Sequence, residues 1–203
     1  MRFDCESADI EVGNEIKRDS RFDKNGCLLL SSETCDECGI ALFSQVNEKQ
    51  LLRIITKSDR RRAVSKALFL LGRRAYASNE LLSKLAPDFG TAAADFAVDR
   101  MIDYGYIDDA DYARRLAENL INSKNISPRQ AVYKMLQKGV ERDLAQECVD
   151  ALSPDETAQI RALIEAKYIT KLKAPNGLQK VSAALARKGF SFDNIRRICE
   201  EFE

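Results

Sequence analysis

Two cysteines with two residues between them, Cys35 and Cys38, and three aspartates within four positions, Asp108, Asp109 and Asp111, are the groups whose types and spacing suit them to chemistry. A Cys-x-x-Cys pair holds zinc when two more thiolates or imidazoles complete a tetrahedron. It works as a redox couple when a helix N-terminus lowers its thiol pKa. This chain has no histidine, and its other N-terminal thiols, Cys5 and Cys27, are isolated. A four-cysteine site from these would have a spacing unlike the common zinc ribbons. Acids at Glu33, Asp36 and Glu37 push a thiol pKa up, against redox use. The pair therefore reads as helix packing, and Cys148 and Cys199 as small core hydrophobes. The aspartates read as a capped helix start, with Asp108 as N-cap and Asp111 in the capping-box position usually held by Glu or Gln.

Lacking histidine, the chain cannot build a triad with an imidazole base. It also lacks the G-x-G-x-x-G and G-x-x-x-x-G-K-[ST] phosphate loops. No catalytic residue, metal or cofactor is expected, and binding is the function class left standing. Its charges balance at 32 basic and 32 acidic residues, but not locally. Residues 160–199 carry nine cations, namely Arg161, Lys167, Lys171, Lys173, Lys180, Arg187, Lys188, Arg196 and Arg197, against Glu165 and Asp193. Such a patch suits an acidic or phosphate-bearing partner, with solvated helix surface as the plain alternative. Arg73, Arg74, Arg114 and Arg115 close the basic side of two earlier helices and join the binding candidates. Arg60, Arg61 and Arg62 read as a linker and helix start. Tyr104, Tyr106 and Tyr112 read as packing anchors between repeats.

The elements that position these groups are helices. Residues 58–203 show helical periodicity, punctuated by Ala86-Pro87, Gly139 and Gly189. A repeat is visible at a spacing of 50: Leu85, Met135 and Leu185; Val98, Cys148 and Ile198; Ile102, Leu152 and Phe202. At 48 lie Val64, Tyr112 and Ile160, and Leu68, Leu116 and Ile164; Ser78, Ser127 and Asn176 stand 49 apart as candidate N-caps. The fold class is mainly α, with three tandem three-helix repeats at 58–107, 108–153 and 154–203, expected as an elongated curved array. The expected helices are 60–75, 78–85 and 91–104, then 109–124, 128–138 and 141–152, then 155–172, 176–188 and 192–202. Residues 1–57 read as a small α+β module, with strands at 8–12 and 27–30, a turn at 23–26, a short helix from Ser32 to Gly39, and another beginning near Asn47.

These residues also resemble a known family. Lys66 to Arg74 followed by Ser78 to Leu85 is similar to the opening repeat of the RecX regulatory proteins. The stretch Tyr104-Gly105-Tyr106-Ile107-Asp108-Asp109-Ala110-Asp111-Tyr112-Ala113-Arg114 resembles that family's joint between its first two repeats. Ser127-Pro128-Arg129 through Lys138-Gly139-Val140, and Ala184 through Arg197, resemble its second and last repeats. The pattern departs at Ala131, where the family often has Ile, and at Ser127, where it often has Gly. The resemblance covers about 60–203. It implies a cytoplasmic regulator of the RecA recombinase, acting in DNA repair, recombination and the SOS response. Such proteins bind the RecA–DNA filament and lower its ATPase and strand-exchange activity. The implied partner is RecA, with DNA contacted directly or through the filament; no apolar run approaches the roughly 20 residues of a membrane span, so no membrane is expected, and a monomer is the default for a groove-binding array. A helical DNA-binding module acting without RecA is the alternative.

Overall fold

The computed structural model describes residues 2–4, 27–30, 32–41 and 45–202. The chain is mainly α and separates into two compact bodies, Met1–Leu70 with Lys84–Asp103, and Leu71–Ser83 with Tyr104–Glu203. At the N-terminus β1 (Arg2–Asp4) pairs antiparallel with β2 (Cys27–Leu29), Arg2 opposite Leu29 and Asp4 opposite Cys27. The strand expected at 8–12 and the turn at 23–26 lie outside the described residues. Helix α1 (Ser32–Cys38) follows and stops at Gly39, whose φ of +65° favours glycine. Cys35 is buried with Leu30, Ile40, Leu51, Ile54 and Ile55 in a small apolar cluster, so this thiol packs as a hydrophobe.

Helix α2 (Glu48–Leu71) opens on a reciprocal cap: Gln50 N–H donates to Asn47 Oδ1 and Asn47 N–H to Gln50 Oε1, both at 2.9 Å. It then runs unbroken through Arg60, Arg61 and Arg62, which correct the linker expectation. No Gly or Pro interrupts residues 56–62, and each arginine has a use on the helix. Arg60 lies over the Phe96 ring at 4.8 Å and Arg62 over Phe89 at 5.5 Å, while Arg61 bridges Glu33 and Glu37 on α1. Helix α3 (Ser78–Phe89) also outruns its expected stop. Pro87 forfeits one hydrogen bond in the last turn, and the helix closes beyond it, with Gly90 N–H donating to the Ala86 carbonyl at 2.9 Å. Helix α4 (Thr91–Asp103) completes the first triplet.

The second triplet is α5 (Asp109–Glu118), α6 (Pro128–Gln137) and α7 (Arg142–Ala151). The third has a first helix made of α8 (Glu156–Leu163) and its short continuation α9 (Ile169–Leu172), then α10 (Gly177–Ala186) and α11 (Phe192–Glu200). In both, the first helix carries a wide π turn, Asn119–Ser123 after α5 and Ile164–Tyr168 after α8, which local periodicity does not signal. The second and third triplets each hold an apolar core. Ala113, Ala117, Leu120, Ala131, Met135, Ala145 and Val149 fill the second; Ile160, Leu163, Ile164, Val181, Leu185, Ile195 and Ile198 fill the third.

Burial sharpens the repeat. Its period is 50 in the first two helices: Ala63, Ala113 and Leu163; Ala77, Ser127 and Gly177; Leu81, Ala131 and Val181; Leu85, Met135 and Leu185 are all buried. Of the residues spaced 48 apart, Ile160 and Ile164 are buried but Leu68 is exposed, and in the set spaced by 50 Ile102 is exposed. The caps are likewise uneven. Ser127 Oγ accepts from Gln130 N–H at 3.2 Å and Asp108 Oδ1 from Asp111 N–H at 2.9 Å, but Asn176 makes no side-chain cap. Ser78 is itself helical, and its N–H donates at 2.8 Å to Asp109, 31 residues on, which also accepts from its hydroxyl.

The two Lys-Gly pairs are joints. Gly139 lies against the first turn of α3, where Asn79 Nδ2 donates to its carbonyl at 3.2 Å and Lys138 meets Glu80 at 3.7 Å. Fifty residues on, Ser127 N–H, at the start of α6, donates to the Lys188 carbonyl at 3.0 Å. The Lys188 ammonium donates to the carbonyls of Lys124 at 2.7 Å and Asn125 at 3.1 Å.

Candidate partner-binding surface

The candidate cations divide by what already holds them. Arg74 is held internally: it forks onto Glu80 at 2.6 and 3.0 Å, donates to the Ala75 carbonyl at 2.8 Å, and stacks 3.5 Å over Tyr76. That hydrogen bond to Glu80 raises its pKa above the ordinary guanidinium value. Neighbouring Tyr112 is half-buried, and burial pushes its phenol up. Arg73 is exposed beyond the end of α2. Arg114 and Arg115 share one carboxylate, Asp111, with Arg115 at 2.7 Å. Asp111 therefore serves these arginines and does not return to the Asp108 N–H as a capping box would.

In the C-terminal patch, Lys188 is a structural strut. Burial lowers its pKa, and the cations Lys167 and Lys134 lower it further, which places these three ammonium groups within electrostatic reach of one another. Arg187 Nε donates to the Ala183 carbonyl one turn back on its own helix. Arg196 pairs with Glu200 at 2.9 Å and Arg161 with Glu201 at 2.7 Å. Both acids stand just beyond residue 199, so the local excess is smaller than the window 160–199 suggests. Arg197 makes a long contact of 3.4 Å to Asn194. Lys171 sits 5.8 Å from the Tyr168 ring. Lys167, Lys173 and Lys180 are exposed, and among the described residues they hold no ion pair.

Two further cations escaped the sequence reading. Arg129, in the first turn of α6, and Arg142, at the start of α7, are exposed and make no hydrogen bond or ion pair among the described residues. Their signal was available: neither has an acid three or four residues away on its helix. They flank a groove of about 410 Å³ lined by Pro128, Val132, Tyr133, Leu136 and Gln146. A groove of about 580 Å³ lies at matching positions of the third triplet, lined by Leu178, Ser182, Phe192, Asp193, Ile195, Arg196 and Glu200. Tyr104 and Tyr106 are also corrected. They stand 52% and 60% exposed, edge to face at 6.2 Å, and do not anchor packing.

Among the described residues, no group of three or more Cys, Asp or Glu side chains is placed to hold a metal, and no helix is long and apolar enough to cross a membrane. Residues 108–149 match the family model described as the second three-helix domain of RecX. A regulatory protein RecX of Caldanaerobacter subterraneus is 26% identical over 89% of this chain and 91% of its own length. One from Thermus thermophilus is 33% identical over 48% of this chain and 68% of its own. A crystal structure of a regulatory protein RecX superposes with a TM-score of 0.63 at 19% identity, over 84% of this chain and 88% of that one. The crystal structure of RecX from Lactobacillus salivarius gives 0.57 at 21% identity, over 71% and 96%.

Proposed function

The chain belongs to the RecX family of regulatory proteins, and from that premise we propose that it binds the RecA–DNA filament and lowers RecA ATPase and recombinase activity. The observation that carries this reading is the likeness over nearly the whole length of a relative named as a regulator. On this reading the chain is a monomeric cytoplasmic protein that acts by binding and turns over no substrate. Its three-helix repeats follow the boundaries 58–107, 108–153 and 154–203.

Surface chemistry supports a binding role. Of the cations singled out from the sequence, those with no internal ion pair among the described residues include Lys167, Lys171, Lys173 and Lys180 on the third triplet, together with Arg197. These face the filament, and their contacts to phosphate or to acidic protein surface weaken as salt rises. Arg74 and Lys188, which brace the fold, are not part of the contact.

The test is a titration of DNA-dependent ATP hydrolysis by RecA with the full chain and with a variant carrying Lys171→Glu, Lys173→Glu and Lys180→Glu. The full chain inhibits, and the variant needs at least several-fold more protein for equal inhibition. An ATPase rate unmoved by the full chain at stoichiometric excess refutes the regulatory reading. A variant as potent as the parent refutes the choice of surface.

A further inference from the structure

We propose that the groove between α6 and α7 is a docking site for an acidic segment of the protein partner, in which carboxylates flank a short aliphatic or aromatic stretch. Its floor is apolar, from Pro128, Val132 and Leu136. Tyr133 forms a wall and is 55% exposed, so its ring is free to meet an incoming chain. Arg129 stands at the N-terminal end of α6, and Arg142 follows the turn at its C-terminal end. Along α6, Pro128 to Leu136 spans about 12 Å. The cations therefore bracket the apolar floor from opposite ends.

That arrangement decides the class of occupant. A nucleic-acid strand carries a phosphate on every nucleotide, so a strand laid along the groove sets charge over Val132 and Leu136, which offer it no donor. A polypeptide can place acids at the two arginines and an apolar side chain between them. Tyrosine and arginine are also among the side chains that most often dominate binding energy at protein interfaces. The matching groove of the third triplet lacks this charge pattern. Phe192 replaces Arg142 there, Arg196 is held by Glu200, and Asp193 joins the lining. The complementarity thus belongs to the second triplet and is not a general property of the fold.

The occupant's source rests on the functional reading above, so the test separates the two. The full chain carrying Tyr133→p-benzoylphenylalanine is photocrosslinked to RecA–single-stranded DNA filaments, and the adduct is mapped by mass spectrometry. In parallel, filament binding is measured for Arg129→Glu with Arg142→Glu, two exposed surface positions, with far-UV circular dichroism as the check on folding. The expected results are an adduct on an Asp- or Glu-rich stretch of RecA polypeptide and at least tenfold weaker binding by the double variant. An adduct on DNA, no adduct despite binding, or unchanged affinity of the double variant overturns the groove assignment. Failure of the unsubstituted chain to bind filaments overturns the functional reading, and the named occupant falls with it.

Discussion

Gly139→Ala tests the joint between the first two triplets. Gly139 has φ +79°, and a Cβ built there lies 2.5 Å from the Glu80 backbone nitrogen, 3.1 Å from its Cα and 3.2 Å from the Asn79 carbonyl carbon. All three are main-chain atoms of the first turn of α3, which cannot swing aside as a side-chain tip can. Gly90 supplies the control: its φ is +77°, and nothing lies within 4 Å of its Cβ position. Alanine at either site incurs the left-handed backbone cost, about 1 kcal/mol. Gly139→Ala adds displacement of packed backbone, about 1–3 kcal/mol by analogy with overpacked cores. With a urea slope of about 2 kcal/mol per molar, the extra 2 kcal/mol or so moves the unfolding midpoint by about 1 M beyond Gly90→Ala. The chain has no tryptophan and six tyrosines, so far-UV circular dichroism with tyrosine fluorescence reports unfolding. Equal midpoints for the two variants would refute the joint as described.

Asp109→Ala removes the acceptor of the Ser78 N–H and hydroxyl, leaves the start of α3 uncapped, and costs about 1–2 kcal/mol in the same assay. A loss no greater than that of Asp99→Ala, at an exposed position on α4, counts against this capping role. Tyr112 gives a pH signature. Burial raises its folded pKa above the unfolded value near 10, so its contribution is intact below pH 10 and fades as pH climbs through the raised value. Wild type therefore loses stability relative to Tyr112→Phe above pH 10, read from urea midpoints at pH 8 to 11, and parallel curves would contradict it.

The helices and their triplet grouping were legible because Leu85, Met135 and Leu185 keep one register over a hundred residues. The first-helix register was not, because its central positions in two triplets are alanines, Ala63 with Ala67 and Ala113 with Ala117. A reading that weights apolar bulk passes over alanines, although small residues are what let neighbouring helices approach closely. The stretch Arg60 to Arg62 looked like a linker because a run of charge resembles solvated chain. Phe89, Phe96 and the α1 acids that employ it lie more than 20 residues away in sequence. Asp109 serving Ser78 is a similar long-range bond that no local spacing encodes. Among the candidate cations the pattern did hold the answer in part: Glu200, four residues after Arg196, already marked that arginine as neutralised.

The two Lys-Gly joints have the same polarity: the end of one triplet's second helix plugs into the start of the preceding triplet's second helix, at 138–139 on 79–80 and at 188–189 on 127–130. The second triplet carries both plug and socket. A duplication of that triplet, about fifty codons, would therefore deliver a copy that already holds both halves of the joint and needs no new seam.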